Sequence, residues 1–237
     1  MTRYYLHHLD SLYTSKTFQR KIDYFRFNFG RFVNRLDLKK ASVLEIGPGK
    51  GEFIAWLNSL GMEDIDVVDI DREVVDFVKT NYKIKNGFIS NNISSIKDKM
   101  RMYDMIILVQ VLEHIDPNKY FVFVRSIFSM LKKGGVLIIV VPNANNPLGM
   151  VERYGDLQHK NSFTEQSLKD LVLGSRITGY DIEIRGYSIP PYSILNIFRI
   201  FMQKILHLFL LLIMIVNGGS FYKIMTPNIV LVLKKRV

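Results

Sequence analysis

The stretch at residues 43–53, which reads VLEIGPGKGEF, constrains the fold more than any other part of the chain. A mainly apolar run is followed by three glycines at alternate positions, which predicts a buried strand that turns sharply into a helix. Glycine has no side chain to keep a ligand from the backbone, and the N–H groups at the start of a helix favour an anion. Glu45 is charged inside the apolar run, which is costly without a partner. The stretch therefore predicts a strand, a turn and a helix with a ligand at the turn.

Apolar runs and helical patterns alternate regularly from Ser42 onwards. Helical spacing is found at residues 52–60, 72–82 and 120–131. Around these segments, apolar runs predict strands at residues 43–47, 65–68, 87–90, 103–109 and 136–141. Repeated βα units of this size predict an α/β domain with a doubly wound, mostly parallel sheet and right-handed crossovers. Ligands bind such sheets at the carboxyl ends of the strands, so the residues that follow each strand are the candidates for a site.

The N-terminal segment combines aromatic and basic residues in a helical pattern. Between residues 16 and 36, apolar side chains recur at helical spacing among Lys and Arg, at Phe18, Ile22, Phe25, Phe29, Phe32 and Val33. We interpret residues 1–42 as an N-terminal helical cap on a domain formed by residues 43–237. The helix either packs on the domain with its basic face in solvent, or forms a lid over a substrate cleft or a membrane-facing surface. Residues 1–10 lack the apolar core of a secretory signal.

Charge is distributed unevenly along the chain, whose formal net charge is +10. Residues 1–42 carry nine Lys and Arg against three Asp and Glu, and residues 194–237 carry six Lys and Arg and no acid. Basic ends of this kind fit either a nucleic acid or an anionic lipid surface. The chain has no cysteine, which excludes disulfides and thiolate metal sites and suits a reducing compartment. We therefore expect a cytoplasmic protein.

Two acidic residues follow the second predicted strand. Asp69 lies 22 residues beyond Gly47, the spacing at which an acidic side chain accepts hydrogen bonds from a ribose diol. Asp71 is close enough to contribute, but it could equally cap the helix that starts at Arg72. The glycine turn is not of the dinucleotide-binding type, because that turn has a glycine at its sixth position, where this chain has Glu52. An oxidoreductase is therefore not expected.

Glu45 and the glycines Gly47, Gly49 and Gly51 resemble the first motif of class I S-adenosylmethionine (SAM)-dependent methyltransferases. The resemblance covers residues 43–187 and implies SAM as the cofactor. It also implies a Rossmann-like, seven-stranded sheet that ends in an antiparallel hairpin, formed here by residues 180–187 and a last strand at residues 228–233.

After the fourth strand, Leu112-Glu113-His114 resembles a signature of a broad methyltransferase group that includes quinone-ring, sugar and small-molecule enzymes. Asn92 stands where many of these enzymes place an aspartate toward the adenine amino group. Some quinone-ring enzymes hold a divalent metal with a Glu-x-x-Glu-His set, but this chain has Gln110 at the first position, so we expect no metal. The resemblance implies a cofactor pocket that includes Glu45, Gly47, Gly49, Gly51, Asp69, Asp71, Asn92, Gln110, Glu113 and His114.

The run from Pro142 to Leu168 resembles methyltransferases of bacterial surface-polysaccharide gene clusters, which implies a sugar acceptor. A sugar hydroxyl is a poor nucleophile until it loses its proton, and a histidine titrates in the right range to take it. We predict His159 as that base, with Asp156 orienting it or binding sugar hydroxyls. Alternatively, these two residues only tie down a long loop. Asn143, Arg153 and Tyr154 are the candidates for holding a sugar or an anionic group.

A long apolar helix is predicted at Ile194–Val216. Its polar residues Asn196, Arg199, Gln203 and His207 form one narrow stripe, and Arg199 and Lys204 interrupt the apolar run. We interpret residues 194–219 as an insertion between the two strands of the hairpin, so that both its ends lie on one side of any bilayer. The helix either docks at the membrane interface, packs in the fold or in a homodimer, or spans the membrane.

Together these features predict a SAM-dependent methyltransferase that O-methylates a sugar of a surface glycan or of a lipid-linked intermediate, at the inner face of the cytoplasmic membrane. The alternatives are a quinone or other lipid methyltransferase and a SAM-binding interaction protein without turnover. We expect no nucleic-acid substrate, because no Asn/Asp-Pro-Pro-Tyr motif follows the fourth strand.

Overall fold

The computed structural model describes residues 14–219 and 222–237 of the chain. Within these residues, seven strands form one sheet in the order β3-β2-β1-β4-β5-β7-β6. The strands are β1 (Val43–Ile46), β2 (Ile65–Asp69), β3 (Asn86–Ile89), β4 (Tyr103–Val109), β5 (Leu131–Pro142), β6 (Tyr180–Gly186) and β7 (Asn228–Lys235). The first five strands are parallel, and β7 runs antiparallel to both β5 and β6. The predicted doubly wound, mostly parallel seven-stranded sheet with an antiparallel C-terminal hairpin is confirmed.

Helices cover both faces of the sheet. They are α1 (Ser15–Val33), α2 (Glu52–Ser59), α3 (Arg72–Asn81), α4 (Ile93–Ile96), α5 (Tyr120–Ser129), α6 (Gly149–Tyr154), α7 (Glu165–Gly174) and α8 (Ile194–Val216). Apolar residues of α1, α2 and α3 pack on one face of the sheet, and those of α4, α5 and α7 pack on the other. This three-layer arrangement leaves the carboxyl edge of β1, β2 and β4 open for a ligand.

The N-terminal helix α1 packs on the domain. Thr14 caps it by accepting a hydrogen bond from the Thr17 N–H at 3.2 Å. The ring of Phe25 lies 5.6 Å from that of Phe53 in α2, edge to face, and Phe29 is fully buried beside it. The packed-helix interpretation is confirmed. Residues 1–13 of the predicted cap, with the segment that lacks a secretory core, lie outside the described residues.

Strand β5 is longer than predicted. The strand was predicted at residues 136–141, but residues 132–135, with their two glycines, also lie within β5. Leu131 pairs with Tyr103 of β4, and the Lys235 Nζ donates to the Leu131 carbonyl at 2.7 Å. Pairing with β4 at Leu131 and again from Val136 therefore keeps residues 132–135 in the strand, with a register shift against β4, whereas β7 pairs only from Val136 onwards.

The chain between β6 and α8 is fixed to α1 by one buried asparagine. The Asn28 side chain donates to the carbonyls of Tyr24 and Ser188 and accepts from the Ser188 N–H, each at 2.9 Å. The Arg185 guanidinium donates to the Asn28 carbonyl. Because Gly186 pairs with Ile229, the chain leaves and re-enters the sheet at the same edge. Helix α8 is thus inserted between β6 and β7, as predicted.

Candidate active site

The turn after β1 has the sharp backbone that its glycines predict. Gly47, Gly49 and Gly51 have φ values of 70°, 54° and 76°, in the left-handed region that favours glycine. At Gly51 a Cβ would lie 2.3 Å from the Tyr82 ring, which is held there because its hydroxyl donates to the Lys50 carbonyl at 2.7 Å. The turn therefore leaves no room for a side chain on the Tyr82 side.

Two clefts open at the carboxyl edge of the sheet and meet at Gly47 and Gln110. The first, which we call the Asp69 cleft, has a volume of about 600 Å³ and also contains Asn92 and His114 in its wall. The second, the Glu45 cleft, has a volume of about 540 Å³ and is lined by the glycine turn, α1, Tyr187 and Gln203. An elongated ligand could therefore extend from one cleft into the other across the turn.

Asp69 lies in the wall of the first cleft, where the spacing predicted it. Its Oδ1 accepts from the Asp71 N–H at 2.8 Å, and burial, with a smaller contribution from the Asp71 charge, raises the pKa of Asp69 to about 6. Asp71 lines the same cleft and accepts from the Glu73 N–H at 2.9 Å, so it caps α3. Asn92 likewise caps α4 by accepting from the Ser94 N–H, and it also lines the cleft.

The pKa of Asp69 gives a pH prediction. A ribose diol donates to the ionised carboxylate, so affinity for SAM should fall as the pH drops through about 6 and Asp69 takes up a proton. Asp69→Asn should bind SAM about 10- to 150-fold more weakly at neutral pH, because it loses a hydrogen bond to a charged group. The affinity of this variant should also no longer depend on pH in this range. Titration calorimetry from about pH 8 to about pH 5 checks both results. A wild-type affinity that is flat over this range would remove Asp69 from the ribose site.

The Glu45 cleft contains Glu45, which the sequence singled out, and an ion pair between α1 and α2, which it did not. Glu45 is buried, its Oε2 has no hydrogen-bond partner among the described residues, and burial raises its pKa well above its usual range. The Nζ of Lys21 in α1 lies 2.9 Å from the Oε1 of Glu52 in α2. Burial, helped by the Arg20 charge, lowers the pKa of Lys21 to about 8, and burial raises that of Glu52 to about 7. The basic residues interleaved in α1 were the available signal for these contacts.

Gln110, Glu113, His114 and His159 gather where β4 ends. Gln110 has a φ of 56° and donates through its side-chain amide to Asn228 Oδ1 at 2.7 Å. Glu113 is fully buried. The rings of His114 and His159 lie 4.7 Å apart, and burial, followed by the His159 charge, lowers the pKa of His114. Of these residues, Gln110 and His114 line the Asp69 cleft, and His159 lies behind His114.

Potential metal ligands are also brought together here. One ligand atom each of Glu113, His114 and His159 lies within 4.8 Å of the others, a spacing that suits a metal ion. Two cations lie close to these three residues. The Lys160 charge lowers the pKa of His114, and the Arg153 guanidinium donates to the Lys160 carbonyl at 2.8 Å. These positive charges oppose a bound cation. The absence of a metal therefore stays a prediction.

The loop after β5 uses several predicted acceptor residues to hold itself together. Asn143 is fully buried and donates to the carbonyls of Ile224 and Thr226 at 3.0 and 2.8 Å, so it fastens the loop to the segment before β7. The Arg153 guanidinium donates to the carbonyls of His159 and Lys160 and lies over the exposed Tyr154 ring. Both side chains therefore hold the loop together, and a contact of Asn143 or Arg153 with the acceptor stays a prediction.

The His159 N–H donates to the Asp156 carbonyl at 3.1 Å, but the Asp156 carboxylate makes no short hydrogen bond to the His159 ring. The closest carboxylate oxygen is 3.9 Å from His159 Nε2, and the other oxygen accepts from the Gln158 N–H at 2.8 Å. Neither Asp156 nor His159 lines either of the two clefts, whereas Gln158 and Lys160 do line the Asp69 cleft. The loop therefore contributes Gln158 and Lys160, the neighbours of His159, to the wall of the Asp69 cleft.

The two clefts fit SAM by the chemistry of their side chains. SAM carries a ribose diol, which suits Asp69, and an ammonium and a carboxylate at its amino-acid end. The unpartnered Oε2 of buried Glu45 is a group that a bound ammonium would satisfy, and Lys21 supplies a positive charge for the carboxylate. A Cβ at Gly47 would lie 2.4 Å from Val111 Cγ2, so the turn between the clefts stays narrow.

Comparisons with known proteins identify the family and the fold. The model of a methyltransferase-domain family matches residues 13–175. A SAM-dependent methyltransferase from Archaeoglobus fulgidus is 20% identical over 93% of this chain and 97% of its own, with a TM-score of 0.62. The plantazolicin methyltransferase BpumL, in complex with a substrate analogue and S-adenosylhomocysteine, is 16% identical over 99% of this chain and 91% of its own, also with a TM-score of 0.62.

A search of curated proteins gave no match. The solved structures show that the fold is shared, and the family match covers more than half of the chain. The chain belongs to the methyltransferase-domain family, and its fold and glycine turn make it a SAM-dependent methyltransferase of class I.

Proposed function

We propose that this methyltransferase O-methylates a sugar of a surface glycan or of a lipid-linked intermediate, at the inner face of the cytoplasmic membrane. The observation that carries the proposal is that the apolar helix α8 is exposed along its whole length and also supplies Gln203 to the wall of the Glu45 cleft. An enzyme for a fully water-soluble acceptor has no need of such a helix beside its active site.

The chain's own residues position the cofactor. Asp69 would accept hydrogen bonds from the ribose hydroxyls of SAM, Glu45 would bind its amino group and Lys21 its carboxylate. The acceptor would then meet the cofactor where the two clefts join, at Gly47 and Gln110. Bound SAM supplies a methyl group that is already activated on a sulfonium. The protein's main contribution is then to hold the acceptor hydroxyl in line at this junction, which supplies much of the rate of such a transfer.

We assign removal of the acceptor proton to the imidazole pair of His114 and His159. Burial lowers the pKa of His114, so its ring is neutral near neutral pH, as a base must be. His159 lies behind it with its ring 4.7 Å away, and Asp156 is 3.9 Å from His159. Tyr154 is exposed on the same loop and remains our candidate for a sugar contact.

Transfer of a labelled methyl group tests the proposed function. Purified full-length protein, trideuteromethyl-SAM and a lipid extract from cells that lack the gene should give a lipid or glycolipid with a deuterated O-methyl group, detected by mass spectrometry. A parallel reaction with the water-soluble glycan fraction of the same cells should give less product. Label found only in quinones would instead support the quinone methyltransferase, which α8 also favours. Tight SAM binding without S-adenosylhomocysteine formation in any fraction would support an interaction protein.

A further inference from the structure

We infer that the polar stripe of α8 faces the Glu45 cleft and that its apolar faces lie against an anionic bilayer. An amphiphilic acceptor would then enter the cleft from the membrane. This inference rests on the proposed function and adds to it the route and the chemical class of the acceptor. It concerns how the helix lies, which the sequence left open.

The half-buried positions of α8 lie on one side of the helix. They are Asn196, Ile200, Gln203, His207, Leu210, Leu211 and Met214, at helical spacing. The Asn196 amide donates to the Pro190 carbonyl at 2.9 Å, Arg199 acts on the pKa of Tyr24 in α1, and Gln203 lines the Glu45 cleft. Three of the four polar residues of the stripe, Asn196, Gln203 and His207, are therefore half-buried on the side of the domain, whereas Arg199 is exposed.

The opposite faces of α8 are apolar and open to the surroundings. No residue of the helix is buried, and the side chains of Phe201, Ile205 and Leu212 are 59%, 47% and 52% exposed. A helix on the surface of a soluble protein does the reverse, with its apolar stripe inward and its polar face outward. Exposure of this extent is characteristic of a surface that meets a membrane or a partner.

Charge favours an anionic bilayer over a second copy of the chain. Arg199 and Lys204 lie on α8, and residues 194–237 contain no acid. Two copies packed through α8 would bring these like charges together, whereas anionic headgroups attract each of them by about 1 kcal/mol. Arg20 lines the mouth of the same cleft and, like Arg199, acts on the pKa of Tyr24. An acceptor with a phosphate or other anionic headgroup therefore finds two cations at the entrance.

The length of α8 and the short segment that follows it indicate that the helix lies along the membrane and does not cross it. Its 23 residues measure about 34 Å at about 1.5 Å per residue. The chain must then return to β7 through residues 217–227, which reach at most about 37 Å when fully extended. A return path through the hydrocarbon would leave the backbone of this segment without partners, which is very unfavourable there. Both ends of α8 therefore stay at one face of the bilayer.

The chain's lack of cysteine allows a direct test of the orientation. Gln203→Cys and Ile205→Cys lie on opposite sides of α8 at nearly the same height, and each can carry a single environment-sensitive fluorophore. With vesicles of phosphatidylglycerol and phosphatidylcholine, the fluorescence emission of the label at position 205 should shift to the blue. The emission of the label at position 203 should remain that of a polar environment. Vesicles of phosphatidylcholine alone should give a weaker shift, because binding depends on the charge of the lipid.

The acceptor class is tested with the label at position 203. Dihexanoyl phosphatidic acid, kept below its micelle concentration, should change the fluorescence of this label, and inorganic phosphate at the same concentration should not. A blue shift at position 203 on vesicles, no shift at 205, or a shift at 205 that depends on protein concentration without lipid would each overturn the inference. None of these readouts requires turnover, so the methyltransferase assignment stands or falls separately.

Discussion

Replacing His159 with glutamine should lower turnover by about 10²- to 10⁴-fold while the affinity for SAM stays within about twofold of the wild type. The expectation follows from the position of the imidazole pair: His114 lines the Asp69 cleft, and the His159 ring lies 4.7 Å behind it. Glutamine keeps the size and polarity of the side chain but cannot take up the proton of the acceptor hydroxyl. Turnover at saturating SAM and calorimetric binding separate the two effects.

The pH profile distinguishes a proton acceptor from a loop support. At saturating SAM, wild-type turnover should fall in acid as His114 takes up a proton, and this acid limb should move to higher pH in the residual activity of His159→Gln, because the His159 charge helps to lower the pKa of His114. His207→Gln, in α8, is the matched control and should keep both the rate and the acid limb. If His159→Gln retains full turnover, the pair is not the base, and either His114 alone or Glu52, whose pKa burial raises to about 7, becomes the next candidate.

Replacing Gly51 with alanine should abolish measurable SAM binding. The residue has a φ of 76°, where an alanine is strained by about 1–2 kcal/mol, and its Cβ would lie 2.3 Å from the Tyr82 ring. The ring cannot move without breaking the 2.7 Å hydrogen bond from Tyr82 to the Lys50 carbonyl, which shapes the turn. The turn between the two clefts should therefore be displaced. Calorimetry measures the binding, and thermal unfolding shows whether the fold persists.

Gly61→Ala separates strain from collision. Gly61 has a φ of 82°, and no atom lies within 4 Å of the position of its Cβ, so this variant carries the strain alone. It should lose stability by about 1–2 kcal/mol and bind SAM normally. Removing the ring in Gly51→Ala/Tyr82→Ala should restore part of the SAM affinity. Normal binding by Gly51→Ala itself would show that the turn is not the cofactor site.

The sheet could be predicted because its signals are local. The apolar runs of β1, β2 and β4 are bounded by turn residues, and Asp69 follows its strand at a spacing set by the βα unit. The limits of β5 could not be predicted in this way. Its glycines at positions 134 and 135 indicate a turn, but pairing with β4 at Leu131 and again from Val136 overrides that preference.

The site was less predictable, because its contacts join segments that are distant in the sequence. The ion pair of Lys21 with Glu52 links α1 to α2, and only the packing of Phe25 on Phe53 brings them together. Arg153 looked available for a substrate in the sequence, yet its guanidinium is engaged by backbone carbonyls of its own loop. A polar residue type shows that a hydrogen bond is needed and does not reveal the partner.

The position of α8 illustrates the same limit. Its length and its polar stripe were evident in the sequence, and both helix ends were predicted correctly. Which side of the helix faces the domain depends on the buried Asn28, which fixes the preceding segment to α1 through Ser188. The spacing of polar residues gives the stripe, and only tertiary contacts give its direction.

A structure with S-adenosylhomocysteine bound tests the central claim, that the two clefts form one SAM site across the glycine turn. We predict the ribose hydroxyls within about 2.7–3.2 Å of Asp69, the amino group beside Glu45 and the carboxylate beside Lys21, with the sulfur near Gly47 and Gln110. A ligand confined to one cleft, or one whose ribose lies away from Asp69, would contradict this account.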